Sequence, residues 1–169
     1  MGIIKLLLLV FVASCSSVEV TKQAPELPDR FTYKSSLSII KSTSECANKV
    51  ISSPQFSDQM LAKKSFDSSE DSGEIVYNKM INHVAVIRSY KPTNPFSKVL
   101  ATTYKSNRVD LYLNMRKKRS VHEWSGTACH ELSHLVGYSH GDNSNVGKEN
   151  TVPYWVGSLA TKIAKKICN

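Results

Sequence analysis

The chain has 169 residues, 41% of them hydrophobic, and a formal net charge of +8. This length suits one folded domain, and the apolar content with few glycines and prolines excludes a disordered or fibrous protein. The basic residues are dispersed, and the aromatic residues do not alternate with them. We therefore expect no nucleic-acid partner.

The first residues are typical of a targeting signal. Residues 3–13 are apolar apart from Lys5, but they are too few to span a bilayer. They lead into Val12-Ala13-Ser14-Cys15, which resembles the lipobox of bacterial lipoproteins. The resemblance implies a signal peptide at residues 1–14, a membrane anchor through lipid on Cys15, and sorting to the outer membrane of the bacterial envelope. A plain secretory signal with an incidental cysteine is the alternative interpretation.

The next segment predicts a flexible tether. Residues 15–34, which include the lipidated cysteine, are mostly polar, contain Pro25 and Pro28, and show no hydrophobic period. Residues 35–169 then predict the folded domain.

Three further cysteines follow Cys15, namely Cys46, Cys129 and Cys168. An oxidising compartment permits one disulfide among them, and all three pairings are open. Cys129 directly precedes a histidine, but neighbouring residues on a helix point about 100° apart. We therefore interpret Cys129 as a structural residue rather than a metal ligand.

The domain begins with a predicted helix. From Ser35 to Ser52 the apolar residues follow helical spacing, and Pro54 is expected to stop the helix. The polar stretch from Phe56 to Glu74 predicts a surface loop. Residues 75–81 fit a short helix or a strand, and their paired apolar residues slightly favour the helix. Segments rich in β-branched and aromatic residues then predict three strands, at residues 83–90, 98–104 and 108–114, with a hairpin link between the last two.

A second long helix is predicted from Val121. Ser120 and Glu123 match a capping box, which marks a helix start. The apolar residues that follow form one stripe, whereas His130 and His134 fall on the opposite face. This helix therefore turns two histidines away from the core.

The most specific pattern in the chain is H-E-x-x-H-x-x-G-x-x-H, which runs from His130 to His140. Residues four apart share a helix face, so His130 and His134 can present two imidazoles to one metal ion. Gly137 can adopt the left-handed conformation that ends a helix, after which His140 can supply a third nitrogen. Three protein nitrogens and an open position form the ligand set of a catalytic zinc site. Glu131 can reach a water there without being a ligand.

These eleven residues resemble the zinc signature of the metzincin metalloproteases. The resemblance implies an α+β fold, a minimal catalytic domain with a small twisted mixed sheet, an N-terminal helix, an active-site helix and a C-terminal helix. It implies zinc as cofactor, peptide or protein substrates, and hydrolysis by a zinc-activated water with Glu131 as general base. It also implies an edge strand, placed at residues 108–114, that pairs with extended substrate.

One feature of that family is missing. Metzincins carry a Met-turn downstream of the third histidine, and no Met follows Met115 here. Tyr154 lies where some metzincin families have a tyrosine after that Met. The resemblance implies a catalytic hydrogen bond from Tyr154, or metal ligation at rest, and ordinary packing is the alternative. Pro153 predicts the start of the last helix.

Two other functions share the same motif. A zinc amidase acting on a peptidoglycan cross-link would use the same metal and the same base. A catalytically inactive zinc-binding envelope lipoprotein would keep the metal without turnover. No pattern in the chain predicts an oligomeric state.

Overall fold

The computed structural model describes residues 28–104, 107–141 and 148–168. The predicted signal peptide, Cys15 and most of the predicted tether lie outside these residues. Five helices and a four-stranded mixed sheet confirm the predicted α+β class. In chain order the elements are β1 (Phe31–Lys34), α1 (Ser38–Ile51), α2 (Pro54–Ala62), α3 (Gly73–Ile81), β2 (Ala85–Tyr90), β3 (Ala101–Tyr104), β4 (Asn107–Asn114), α4 (Val121–Leu135), a 3-10 turn (Lys148–Asn150) and α5 (Val152–Ile167).

The sheet has the strand order β1-β2-β4-β3. β1, β2 and β4 run parallel, and β3 returns antiparallel to β4. The expectation that residues 108–114 form an edge strand is therefore wrong, because β4 pairs on both of its sides. The hairpin places β3 outside β4, so β3 is the edge strand on the side of α4.

The predicted end of the tether, at residue 34, is also wrong. Residues 31–34 form β1, which pairs with β2, and Phe31 is buried. The side chain of Asn48 on α1 accepts hydrogen bonds from the backbone N–H groups of Arg30 and Phe31 and donates one to the carbonyl of Phe31. These bonds stabilise a short edge strand that the Pro-containing polar context upstream did not predict.

The predicted surface loop from Phe56 to Glu74 is wrong over its first part, which forms α2. Pro54 begins this helix rather than stopping the previous one, a position that its fixed φ angle favours. The hydroxyl of Ser53 accepts a hydrogen bond from the N–H of Phe56 and caps the helix. Phe56 and Met60, four residues apart, are both fully buried.

The other predicted helices are confirmed. α1 falls within its predicted span, α3 covers residues 75–81 but begins two residues earlier, at Gly73, and α4 begins at Val121 with both bonds of the capping box in place. A disulfide joins Cys46 on α1 to Cys168 at the end of α5, and Cys129 is free and buried. This bond selects one of the three open pairings. In the part of the chain that is described, no helix combines the length and apolarity needed to cross a membrane.

The position of α5 against α4 matters for the site. The two helices pack closely where Gly126 faces Gly157. A Cβ atom on Gly126 would lie 2.7 Å from the carbonyl oxygen of Gly157, and one on Gly157 would lie 3.0 Å from the Cβ atom of His130. A side chain at position 126 would prevent this approach, and one at position 157 would crowd it. The approach brings the start of α5 beside the histidines of α4.

Candidate metal centre

Three histidines converge at the C-terminal end of α4. One ligand nitrogen from each of His130, His134 and His140, together called the His triad, lies within 4.8 Å of the other two. The Nε2 atoms of His130 and His140 are 2.9 Å apart. Gly137, with φ of 104°, ends the helix in the left-handed region and lets the chain return His140 to the triad.

The triad has the chemistry of a metal site. Zinc–imidazole bonds of about 2.1 Å in a tetrahedral site place the nitrogens about 3.4 Å apart. This distance lies between the 2.9 Å that separates the Nε2 atoms of His130 and His140 and the 4.8 Å within which all three ligand nitrogens lie. Burial lowers the pKa of His130 to about 3, with the charges of the other two histidines acting in the same direction. Burial also lowers the pKa values of His134 and His140. The imidazoles are therefore neutral at pH 7, the form that binds metal, and the triad can hold a metal ion.

Two triad members are oriented by backbone groups. Nδ1 of His134 lies 2.7 Å from the carbonyl oxygen of Tyr138, so this nitrogen carries the proton and Nε2 is left for a metal. The backbone carbonyl of Pro153, at the start of α5, acts as an acceptor that raises the pKa of His130 against the larger effect of burial. Such partners fix the tautomer and the ring orientation before an ion binds.

The segment that holds Tyr138 is anchored from the other side by the loop before α3. The Tyr138 hydroxyl donates to a carboxylate oxygen of Asp71 at 2.6 Å, and the Lys79 ammonium donates to the same oxygen at 2.6 Å. The hydrogen bond from Lys79 has the largest effect, and with the bond from Tyr138 it holds the pKa of Asp71 below its usual value. Sequence reasoning missed this network, because Asp71 and Tyr138 are 67 positions apart and Tyr138 occupies an unspecified position of the histidine motif.

We expect Tyr138→Phe to lower the free energy of unfolding by about 1 to 2 kcal/mol, because it removes a hydrogen bond to a charged group that is partly exposed. The loss should be present above about pH 4, near the usual pKa of aspartate, and should shrink at lower pH as Asp71 becomes protonated. Urea unfolding at pH 7 and pH 3 measures both. The matched control is Tyr33→Phe, at an exposed tyrosine. An equal loss in both variants would contradict a specific role for the Tyr138 hydroxyl.

Glu131 lies beside the triad but is not part of it. Its side chain is buried, with 7% of the residue exposed, and it borders the open cleft. Burial raises the pKa of Glu131 to about 7. A carboxylate with that pKa can accept and return a proton near neutral pH.

Tyr154 is placed next to the triad by the first turn of α5. Its ring centre is 4.7 Å from that of His140 and 5.1 Å from that of His130. The predicted site residues therefore come together around one point. The two remaining histidines stay apart from them, and His122 bonds to the carbonyl of Cys168. Burial raises the pKa of Cys129 to about 12, so this thiol stays protonated and does not join the triad.

A cleft runs past the triad between α4, α5 and the edge strand β3. Its two halves share Ala101, Glu131 and His140. The Tyr138 half, of about 700 Å³, is bordered by β3 up to Tyr104. The Tyr154 half, of about 540 Å³, is bordered by the approach to β3 and by α5. Glu131 thus stands where the two halves of the cleft meet.

Comparison of the chain with protein-family models, with curated proteins and with solved structures found no match. The functional conclusion therefore depends on the residues of the site.

Proposed function

We propose that this chain is a zinc-dependent endopeptidase of the metzincin type that uses Glu131 as general base. One observation carries the proposal: three neutral imidazoles converge beside a buried carboxylate at the middle of an open cleft. In the described part of the chain, the group able to hold a metal contains three residues. A structural zinc site usually fills a fourth position with protein, whereas a catalytic site leaves it open.

The residues of the site have separate tasks in this proposal. His130, His134 and His140 would hold the zinc ion. Bound zinc acts as a Lewis acid on a carbonyl and lowers the pKa of water to about 7. Glu131 takes the proton from the attacking water and passes it to the leaving amine. The phenol of Tyr154, beside the triad, donates a hydrogen bond to the oxygen on which charge develops.

The edge strand supplies the means of holding a peptide. β3 pairs with β4 on one side and borders the cleft with the other. Its outward backbone groups can pair with an extended substrate, and side-chain pockets then add specificity. We expect antiparallel pairing, which is slightly more stable per residue than parallel pairing.

We further propose that the protein acts in the bacterial envelope, anchored at the outer membrane through lipid on Cys15. The motif ending at Cys15 supports the anchor, and the Cys46–Cys168 disulfide supports an oxidising compartment.

The proposal is tested by metal analysis together with hydrolysis of a broad fluorogenic peptide library, with and without a chelator. We expect one zinc per chain and cleavage that the chelator abolishes and added zinc restores. His140→Ala should bind zinc more than about 100-fold more weakly, since loss of a ligand costs more than loss of an outer partner, and His122→Ala is the control that keeps the metal. Zinc binding without cleavage of any peptide would contradict the peptidase, and cleavage of muropeptides alone would assign the amidase.

A further inference from the structure

The outer end of the Tyr154 half of the cleft is basic. Arg119, just before α4, borders it, with one guanidinium nitrogen 3.1 Å from the hydroxyl of Thr127 and another 3.6 Å from Glu123. Lys98, which is exposed, borders the same space from the segment that leads into β3. Two cations from separate parts of the chain therefore face the substrate groove.

The basic character continues along α5. A shallow depression of about 510 Å³ shares Ser158 and Thr161 with the Tyr154 half, and its other lining residues are Lys162, Lys165 and Lys166. Positions 154, 158, 161 and 165 follow one another on a single helix face at steps of three and four. The wall of the cleft thus passes from Tyr154, at the triad, onto a surface of lysines. The five cations are named the basic rim, and they are Lys98, Arg119, Lys162, Lys165 and Lys166.

Little negative charge opposes the basic rim. Among the described residues that border the outer end of the groove, Glu123 is the one carboxylate. It accepts hydrogen bonds from the backbone and hydroxyl of Ser120 and also attracts Arg119 and Lys165. The four lysines of the rim take part in none of the salt bridges found in the described part of the chain. Lysines in the last turn of α5 also complement the helix dipole, but this does not account for Lys98 and Arg119.

We propose that the basic rim binds an acidic segment of the substrate, so that the preferred substrates are peptides with aspartate or glutamate beyond the cleaved bond. From Tyr154 to Lys165 the helix rises about 16 Å, the length of about five extended residues. β3 begins near the rim and runs towards Tyr104 in the other half of the cleft. A substrate that pairs antiparallel to β3 runs the opposite way, so its C-terminal side lies at the rim. The acidic residues are therefore expected about two to five positions C-terminal to the cleaved bond. This inference rests on the proposed peptidase function.

The experiment compares two fluorogenic peptides that differ only in having glutamate or glutamine at the third and fourth positions after the cleaved bond. Each exposed ion pair supplies up to about fivefold, so we expect kcat/KM about tenfold higher for the glutamate peptide. The preference should fall towards one at 1 M salt, where exposed charges are screened. The double variant Lys162→Glu/Lys165→Glu should abolish the preference. The matched control, Lys49→Glu/Lys64→Glu, makes the same change of charge at exposed residues that do not border the cleft, and it should keep the preference.

A binding measurement separates this inference from the proposed function. Fluorescence anisotropy of both labelled peptides is recorded with the zinc-loaded Glu131→Gln protein. Tighter binding of the glutamate peptide without hydrolysis by the wild type would support the basic rim as a binding surface for acidic peptides and contradict the peptidase. Equal binding of the two peptides would overturn the inference whether or not hydrolysis occurs. The third outcome combines equal binding of the two peptides with adsorption of the protein to phosphatidylglycerol vesicles but not to phosphatidylcholine vesicles. If the double variant also lost this adsorption, the rim would be assigned to a membrane surface instead.

Discussion

Replacing Glu131 with glutamine should lower kcat for peptide hydrolysis by about 1,000-fold and leave one zinc per chain. The change keeps the shape of the side chain and removes the group that takes a proton from water, and general acid–base catalysis contributes about 10² to 10⁴ in rate. Zinc content should not change, because the triad holds the metal without Glu131. Steady-state kinetics on a cleaved library peptide and metal analysis of the same sample measure both effects.

The matched control for this variant is Glu70→Gln, at an exposed glutamate in the loop before α3. It changes the net charge by the same amount and should retain full activity. Full activity of Glu131→Gln would remove Glu131 from the mechanism. Loss of zinc along with activity would instead show that Glu131 supports the metal site.

The largest effect on stability is expected from the double variant Cys46→Ala/Cys168→Ala. The disulfide closes a loop across 122 positions of sequence. In the chain-entropy description, removing such a constraint from the unfolded state costs about 4 to 5 kcal/mol. A domain of this size is stable by only about 5 to 15 kcal/mol. We therefore expect a large drop in the urea midpoint and a protein that is partly unfolded at 37 °C.

Cys129→Ala is the control, since Cys129 is buried but unpaired. Its loss should be about 1 kcal/mol, the effect of removing one small buried group. A reductant should destabilise the wild type to the level of the double variant and leave the double variant unchanged. Equal midpoints for the wild type and the double variant would show that the bond contributes nothing to stability.

The site was predictable from sequence where its geometry is local. The triad and Glu131 lie within eleven residues, so helical spacing and one glycine turn determine how their side chains converge. The start of α4 was predictable for the same reason, because Ser120 and Glu123 form a contact within one helical turn.

Features that depend on distant contacts were not predictable. No local pattern distinguishes Cys46–Cys168 from the other two pairings, since the choice depends on where α5 ends relative to α1. The interior position of β4 depends on how the hairpin folds back, which strand patterns do not encode. The first part of the predicted loop forms α2 instead, because the burial of Phe56 and Met60 outweighs the polarity of their neighbours.

The glycine pair at positions 126 and 157 makes the distance between α4 and α5 at the site adjustable. Neither residue carries a functional group, yet together they set the gap between the axes of α4 and α5. His130 and His134 on α4 and the phenol of Tyr154 on α5 therefore lie on two helices whose separation depends on the missing Cβ atoms of these glycines. Evolution or design could alter how Tyr154 meets a reacting carbonyl by widening that gap, with every metal ligand unchanged. The geometry of the site is thus tunable from a contact that supplies no metal ligand and no catalytic group.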